Sequence, residues 1–179
     1  MDPDLREVFS PVDEFFAYAD FKDIPSCVAA LDNLRSYLDA EGPFDAVLAF
    51  SQGASLVVSY IAQTMKRNPV AENLSPTFKC AILFAPVAAL EPELLRQTTV
   101  RTLDPSVDGE VINIPTAHIW GCNDTLTDAV TISSLCASDT KEIYVHSGGH
   151  EIPGSRMNND VKNIVRVIRR VVSMATYKQ

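Results

Sequence analysis

Ser51, Asp124 and His150 are the residues of this 179-residue chain whose types and placement suit acyl-transfer chemistry. A serine hydroxyl is a weak nucleophile and needs a base within hydrogen-bond reach. A histidine can take the serine proton and return it to a leaving group. A carboxylate behind the imidazole fixes its tautomer and stabilises its charged form. Each of the three follows a short apolar run. Ser51 comes directly after Asp45–Phe50. Asp124 follows the run Ile114–Trp120 after Gly121-Cys122-Asn123, and His150 follows Lys141–His146 after Ser147-Gly148-Gly149.

The serine has the most specific surroundings. In Ala49-Phe50-Ser51-Gln52-Gly53, small residues stand two before and two after it. That spacing lets a strand turn sharply into a helix with the hydroxyl exposed, as in the nucleophile elbow G-x-S-x-G. Ala49 replaces the first glycine and keeps the side chain small. The free N–H groups at the start of the following helix face the position where negative charge develops, and the backbone N–H of Gln52 is the expected oxyanion donor. The chain order Ser, Asp, His is that of α/β-hydrolases. Asp128 is the rival acid, but its position better suits a helix start. His118 lies inside an apolar run and is expected to be packed, and His146, at the end of one, is expected to be structural.

These groups require a frame that brings strand ends together. Apolar spacing after Pro25 (Val28, Leu31, Leu34, Tyr37, Leu38) marks a helix ending at Gly42-Pro43, with Ser26 as its expected cap. Asp45–Phe50 reads as a strand, and residues 53–67 as a helix. Residues 79–85, 114–120 and 141–146 read as further strands. Helices are expected near 88–97, over 128–137 and over 161–174, with a surface excursion at 98–113. Unalternating apolar runs fit strands buried on both faces of a parallel sheet. Alternating strands and helices predict one α/β domain over residues 1–179, with residues 1–24 irregular. In such sheets ligands gather at the carboxyl ends of the strands.

Composition narrows the partners. A formal charge of -8 disfavours nucleic acid and anionic membrane surfaces. No apolar stretch approaches the ~20 residues that span a bilayer. The acidic start Met1-Asp2-Pro3-Asp4 does not resemble a secretory signal, so a cytoplasmic protein is expected. Cys27, Cys80, Cys122 and Cys136 form no C-x-x-C pair and no zinc-like spacing. They are expected to be small buried hydrophobes, without disulfides.

Three blocks resemble a known family. Phe44–Ala54 is similar to the "PFDGVLGFSQGA" block of the fungal serine hydrolases related to the yeast family of serine hydrolases and the human ovarian-cancer-associated hydrolase. Pro115–Asp124 resembles its "PTLHVxGxxD" block, and His146–Pro153 its "HxGGHxxP" block. The resemblance implies an α/β-hydrolase fold with Ser51, Asp124 and His150 as catalytic residues. It implies an esterase or thioesterase without cofactor, of the kind that releases fungal polyketides. The expected substrate is a small acyl ester or thioester, free or bound to a carrier protein.

One departure stands out. Family members begin with a strand ending in a histidine-glycine loop that supplies a second oxyanion N–H. Here no glycine precedes Gly42 and no histidine precedes His118. One missing donor typically costs ~100–1,000-fold in rate. Without the usual N-terminal strands, Asp45–Phe50 becomes a sheet edge, which invites pairing. Residues 7–21 could fold back over it, a second copy could pair there to give a homodimer, or the chain could be a truncated, weakly active form. A non-hydrolytic reading, as a cyclase or binding scaffold, follows from the same departure.

Overall fold

In a computed structural model, which describes residues 17–177, four parallel strands form one sheet in the order β1-β2-β3-β4. The strands are β1 Ala46–Phe50, β2 Cys80–Phe84, β3 Thr116–Gly121 and β4 Lys141–His146. Helix α1 (Ile24–Glu41) precedes β1, and α2 (Gln52–Arg67) and α3 (Pro69–Leu74) lead to β2. Two short helices, α4 (Pro92–Arg96) and α5 (Pro105–Asp108), lead to β3. Helix α6 (Ala129–Ser134) leads to β4, and α7 (Asn158–Tyr177) closes the chain. None of these helices is long and apolar enough to cross a membrane.

Strand β2 shows why the apolar runs carry no alternation. All five of its residues are buried. Ala81 and Leu83 enter a core built with α1 and α2, while Cys80, Ile82 and Phe84 enter a second core under α7. Both faces are covered, so both must be apolar. Strand β1 has the same composition but a different setting. It pairs only with β2 among the described residues, with Ala46 opposite Cys80 and Phe50 opposite Phe84. Among the described residues it is therefore an edge, and Leu48 is 60% exposed on it. Burial on both faces, expected for this strand, is not found there. Residues 17–21, the described part of the segment that is one of three alternatives for covering the edge, lie instead at the start of α2. Residues 7–16 fall outside the described residues.

Several expected boundaries change. Helix α1 begins at Ile24, inside the segment expected to be irregular, with Asp23 rather than Ser26 at its cap position. Ser26 Oγ instead accepts the Asp20 N–H at 3.0 Å. The helix expected near 88–97 shortens to Pro92–Arg96, capped by Glu91, which accepts the Leu94 N–H at 2.7 Å. The 98–113 excursion contains α5 and is tied down by charge. Asp108 accepts from both Arg101 and Lys66, and these cations hold its carboxyl below the usual carboxylate range. Helix α6 spans 129–134 rather than 128–137, so Cys136 lies beyond it. Helix α7 is longer than expected because its polar first turn, Asn158–Asp160, belongs to it. Cys27, Cys80 and Cys136 are buried as expected, but Cys122 is exposed, because it sits on a loop at the sheet's carboxyl end.

Candidate active site

The turn from β1 into α2 holds Ser51 at φ 52° and ψ -125°. An L-residue there is strained by about 1–3 kcal/mol, which its surroundings must offset. Two contacts hold it. The Ser51 N–H donates to the Phe84 carbonyl at 2.9 Å, continuing the sheet ladder past the end of β1. Its own carbonyl accepts the Ser55 N–H at 3.2 Å, while the Ser55 hydroxyl donates its one proton to the Val87 carbonyl at 2.6 Å. The hydroxyl of Ser51 thereby stands clear of the sheet, at the carboxyl end of its strand.

His150 Nε2 lies 2.8 Å from Ser51 Oγ, and its Nδ1 lies 2.8 Å from Asp124 Oδ2. A carboxylate accepts, so Nδ1 carries the proton and Nε2 is left to accept from the serine hydroxyl. Asp124 has its second oxygen fixed as well. Oδ1 accepts the N–H groups of Leu126 at 2.9 Å and Thr127 at 3.1 Å. Its side chain is 0% exposed, against 22% for His150, so the carboxylate is sealed while the imidazole remains reachable. The ring of Phe50 packs beside that of His150, with centroids 5.0 Å apart. The structure thus brings Ser51, His150 and Asp124 together, although 99 residues separate the first two along the chain.

The two loops that carry Asp124 and His150 are packed on each other through Gly121. A Cβ at that position would collide with the carbonyl oxygens of Gly148 and Gly149. The Cys122 N–H donates to the His146 carbonyl at 2.8 Å and the Asn123 N–H to the Gly148 carbonyl at 3.1 Å. Asp128, the rival acid, stands at the cap position of α6 and takes no part in this arrangement. Its N–H and the Thr127 hydroxyl both donate to the Pro86 carbonyl at 2.8 Å, anchoring the acid loop to the end of β2.

Gln52 occupies the first position of α2, where a backbone N–H has no intrahelical acceptor. That N–H is the one expected to act as an oxyanion donor. Its side chain has a second task that nothing in the local sequence signals. The carboxamide accepts the Tyr18 N–H at 2.9 Å and donates to the Ala19 carbonyl at 2.7 Å. It therefore clamps the segment before α1 against the residue next to Ser51. Tyr18 reaches over Gly53, where a Cβ would stand 3.2 Å from the tyrosine ring. The small residue two after the serine thus serves this close approach as well as the turn.

The other two histidines stay outside this arrangement. His118 is fully buried in β3, with Nε2 3.0 Å from Thr116 Oγ1 and Nδ1 without a partner among the described residues. Burial, with a smaller contribution from the Lys141 charge, pushes its pKa down to about 3. His146 is also buried, and its Nδ1 accepts the Gly148 N–H at 3.2 Å. It shapes the loop that presents His150, a structural role as expected.

The serine hydrolase (FSH1) family pattern matches residues 7–161. An esterase named FPY3 from Fusarium mangiferae is 34% identical over 97% of this chain and 77% of its own length. Family of serine hydrolases 2 from Saccharomyces cerevisiae is 28% identical over 70% of this chain, which spans about half (54%) of the yeast protein. Among solved structures, a Bacillus cereus carboxylesterase superposes with a TM-score of 0.52 at 14% identity, over 88% of this chain and 67% of its own. That likeness concerns the fold alone. The chain belongs to the FSH1 family of serine hydrolases and has the α/β-hydrolase fold.

Proposed function

We propose that this protein is an esterase that works through an acyl group on Ser51. In this reading, Ser51 Oγ attacks the acyl carbon of the substrate while His150 Nε2 takes the hydroxyl proton. The Asp124 carboxylate holds the imidazole in place and stabilises its charge. The Gln52 N–H donates to the oxygen that becomes negative. The carbon–oxygen bond to the leaving group then breaks, and the leaving group departs with the proton from His150. A water repeats the cycle in reverse, releasing the carboxylic acid and restoring the serine.

The observation that carries this reading is the unbroken hydrogen-bond series from Asp124 through His150 to Ser51. A fluorophosphonate probe tests it. Labelling at Ser51, located by mass spectrometry and absent from Ser51→Ala, is the expected result. Folded protein that shows no labelling overturns the reading. The same series disfavours a pure binding scaffold, which has no need of a positioned base.

The finer proposal is a thioester substrate in fungal polyketide metabolism, with the acyl group free or on a carrier protein. It rests on the family resemblance and on fungal relatives such as the Fusarium esterase. With a thioester the carbon–sulfur bond breaks in the same way, and the sulfur departs as a thiol with the proton from His150. N-acetylcysteamine thioesters should then turn over with higher kcat/KM than oxygen esters of the same acyl group. The reverse preference would leave the esterase and remove the thioester.

A further inference from the structure

Helix α7 carries four cations and one acid in its 20 residues, a charge of +3, so the other 159 residues carry -11. Ile164, Val167, Val171 and Ala175 form its buried side and pack over β2 and β3. Lys162, Arg166 and Arg169 stand on the exposed side. Their spacing of four and then three residues aligns them in one row about 10 Å long. Val165 and Val172, 39% and 44% exposed, lie beside the row.

A solvated helix face ordinarily mixes charges of both signs, so that neighbours one turn apart attract. Helix α1 does this: Arg35 lies 3.8 Å from Asp39, and Asp32 pairs with Arg96. Along the row on α7 each neighbour at that spacing is another cation, which is mildly destabilising. The acids of α7 and β4 are already engaged. Glu142 pairs with Arg170 at 3.3 Å, and Asp160 accepts the hydroxyls of Tyr144 at 2.6 Å and Ser147 at 3.2 Å. Arg166 donates to Asn163 Oδ1 on its own helix. Among the described residues, none of the three cations in the row has an ion-pair partner.

The row begins beside the candidate active site. The bond from Ser147 to Asp160 fixes the first turn of α7 to the loop that presents His150, three residues further on. Phe50 packs against the core under α7 and also lies beside the His150 ring. Two kinds of partner are anionic over such an area, a membrane leaflet and an acidic protein. A leaflet is a plane, and meets the negative remainder of the molecule as well as the helix. A small acidic protein meets the row alone, because exposed charges more than about 8 Å away are screened at physiological ionic strength.

We infer that this face of α7 docks the acidic carrier domain that brings an acyl thioester to Ser51. Carboxylates of the carrier pair with Lys162, Arg166 and Arg169, and Val165 and Val172 give it an apolar seat. The carrier's flexible thiol arm then spans the loop of His150 to reach the serine. The inference rests on the thioester reading proposed above.

Two hexanoyl thioesters test it, one on a carrier domain from a fungal polyketide synthase and one on free N-acetylcysteamine. The variant Lys162→Glu/Arg166→Glu/Arg169→Glu changes only exposed side chains and should keep the Tm of wild type. It should lose about 100-fold in kcat/KM on the carrier-bound thioester, through KM, and stay within about twofold of wild type on the free one. Raising NaCl from about 0.05 M to about 0.5 M should weaken wild type on the carrier-bound thioester alone. A carrier-bound rate that ignores both the reversals and the salt overturns the docking face and leaves the hydrolase reading standing. If neither thioester turns over, the thioester reading fails and docking is judged by binding. Calorimetry should then show the carrier binding Ser51→Ala protein, with Kd raised at least ~30-fold by the three reversals. No binding, or binding that the reversals leave unchanged, overturns the docking face independently of turnover. Binding to phosphatidylserine vesicles in place of the carrier would assign the face to a membrane and overturn the inference.

Discussion

His150 and His118 occupy two regions of the same sheet and are opposite in every respect that matters to chemistry. His150 sits on a loop at the carboxyl end, with a partner on each ring nitrogen and part of its ring open to solvent. His118 sits in the middle of β3, with one nitrogen bonded to Thr116 and the other facing no partner among the described residues. The partners of His150 come from distant parts of the chain, whereas Thr116 lies two residues from His118 on the same strand. Only His150 has an acceptor for its proton on one side and a donor on the other. The difference teaches that what flanks a histidine decides whether it is placed to act as a base, and that burial without a counter-charge keeps it neutral.

If that contrast is right, damage to the His150 region should remove activity and spare stability. Ser51→Ala and His150→Ala should each lower kcat roughly 10⁵–10⁶-fold for an ester substrate, with Tm within a few degrees of wild type. Asp124→Asn keeps the shape but offers a donor where an acceptor is needed, and should cost about 10⁴-fold in kcat. Retained activity in any of these three would break the comparison. Gly121→Ala should push the base loop off the acid loop. A displacement near 1 Å there should cost about 100-fold in kcat, and circular dichroism should show the fold intact.

Damage to the His118 region should do the reverse. Its imidazole is neutral in the folded protein down to about pH 3, whereas the unfolded chain binds a proton near the ordinary value of 6.5. Above pH 6.5 neither state is protonated and the residue adds no pH dependence. Below it the unfolded state gains a proton that the folded state refuses. Stability therefore falls as pH drops from 6.5 towards 3, by about 2 kcal/mol at pH 5. Urea unfolding at pH 7 and pH 5 measures this, and His118→Leu should flatten the difference while leaving kcat near wild type. An unchanged acid slope in that variant would show that other groups carry it. Cys122→Ser should be the mildest change, within about twofold in kcat, since surface substitutions away from buried partners are nearly neutral.

The arrangement around His150 is legible in the sequence for a local reason. A serine between small residues, a G-x-x-D turn and a histidine after two glycines each follow an apolar run, so each announces a strand end. Parallel pairing then does the rest, because it sets all carboxyl ends on one side. The clamp by Gln52 is not legible. It joins residues 33 and 34 positions apart through a carboxamide that could point anywhere, and no period or turn rule connects Tyr18 with the start of α2. The packing of Gly121 on Gly148 is hidden for the same reason. The short helices α3 and α5 were readable but too brief for a periodic signal. Asn68-Pro69 and Asp104-Pro105 each place a capping residue before a proline, and Asp104 does accept the Ser106 N–H at 2.8 Å. The edge position of β1 among the described residues is not legible in its own residues, which match those of an interior strand.

The exposure of Cys122 has a practical side. Three of the four thiols are buried, and the fourth stands on the loop that carries Asp124. A maleimide dye should react there in preference to the other positions. Such a label would sit two residues from the acid and report, by its emission, whether the loop shifts when an ester enters or an acid product leaves. The molecule thus comes with its own attachment point for watching the site in solution, without an engineered cysteine.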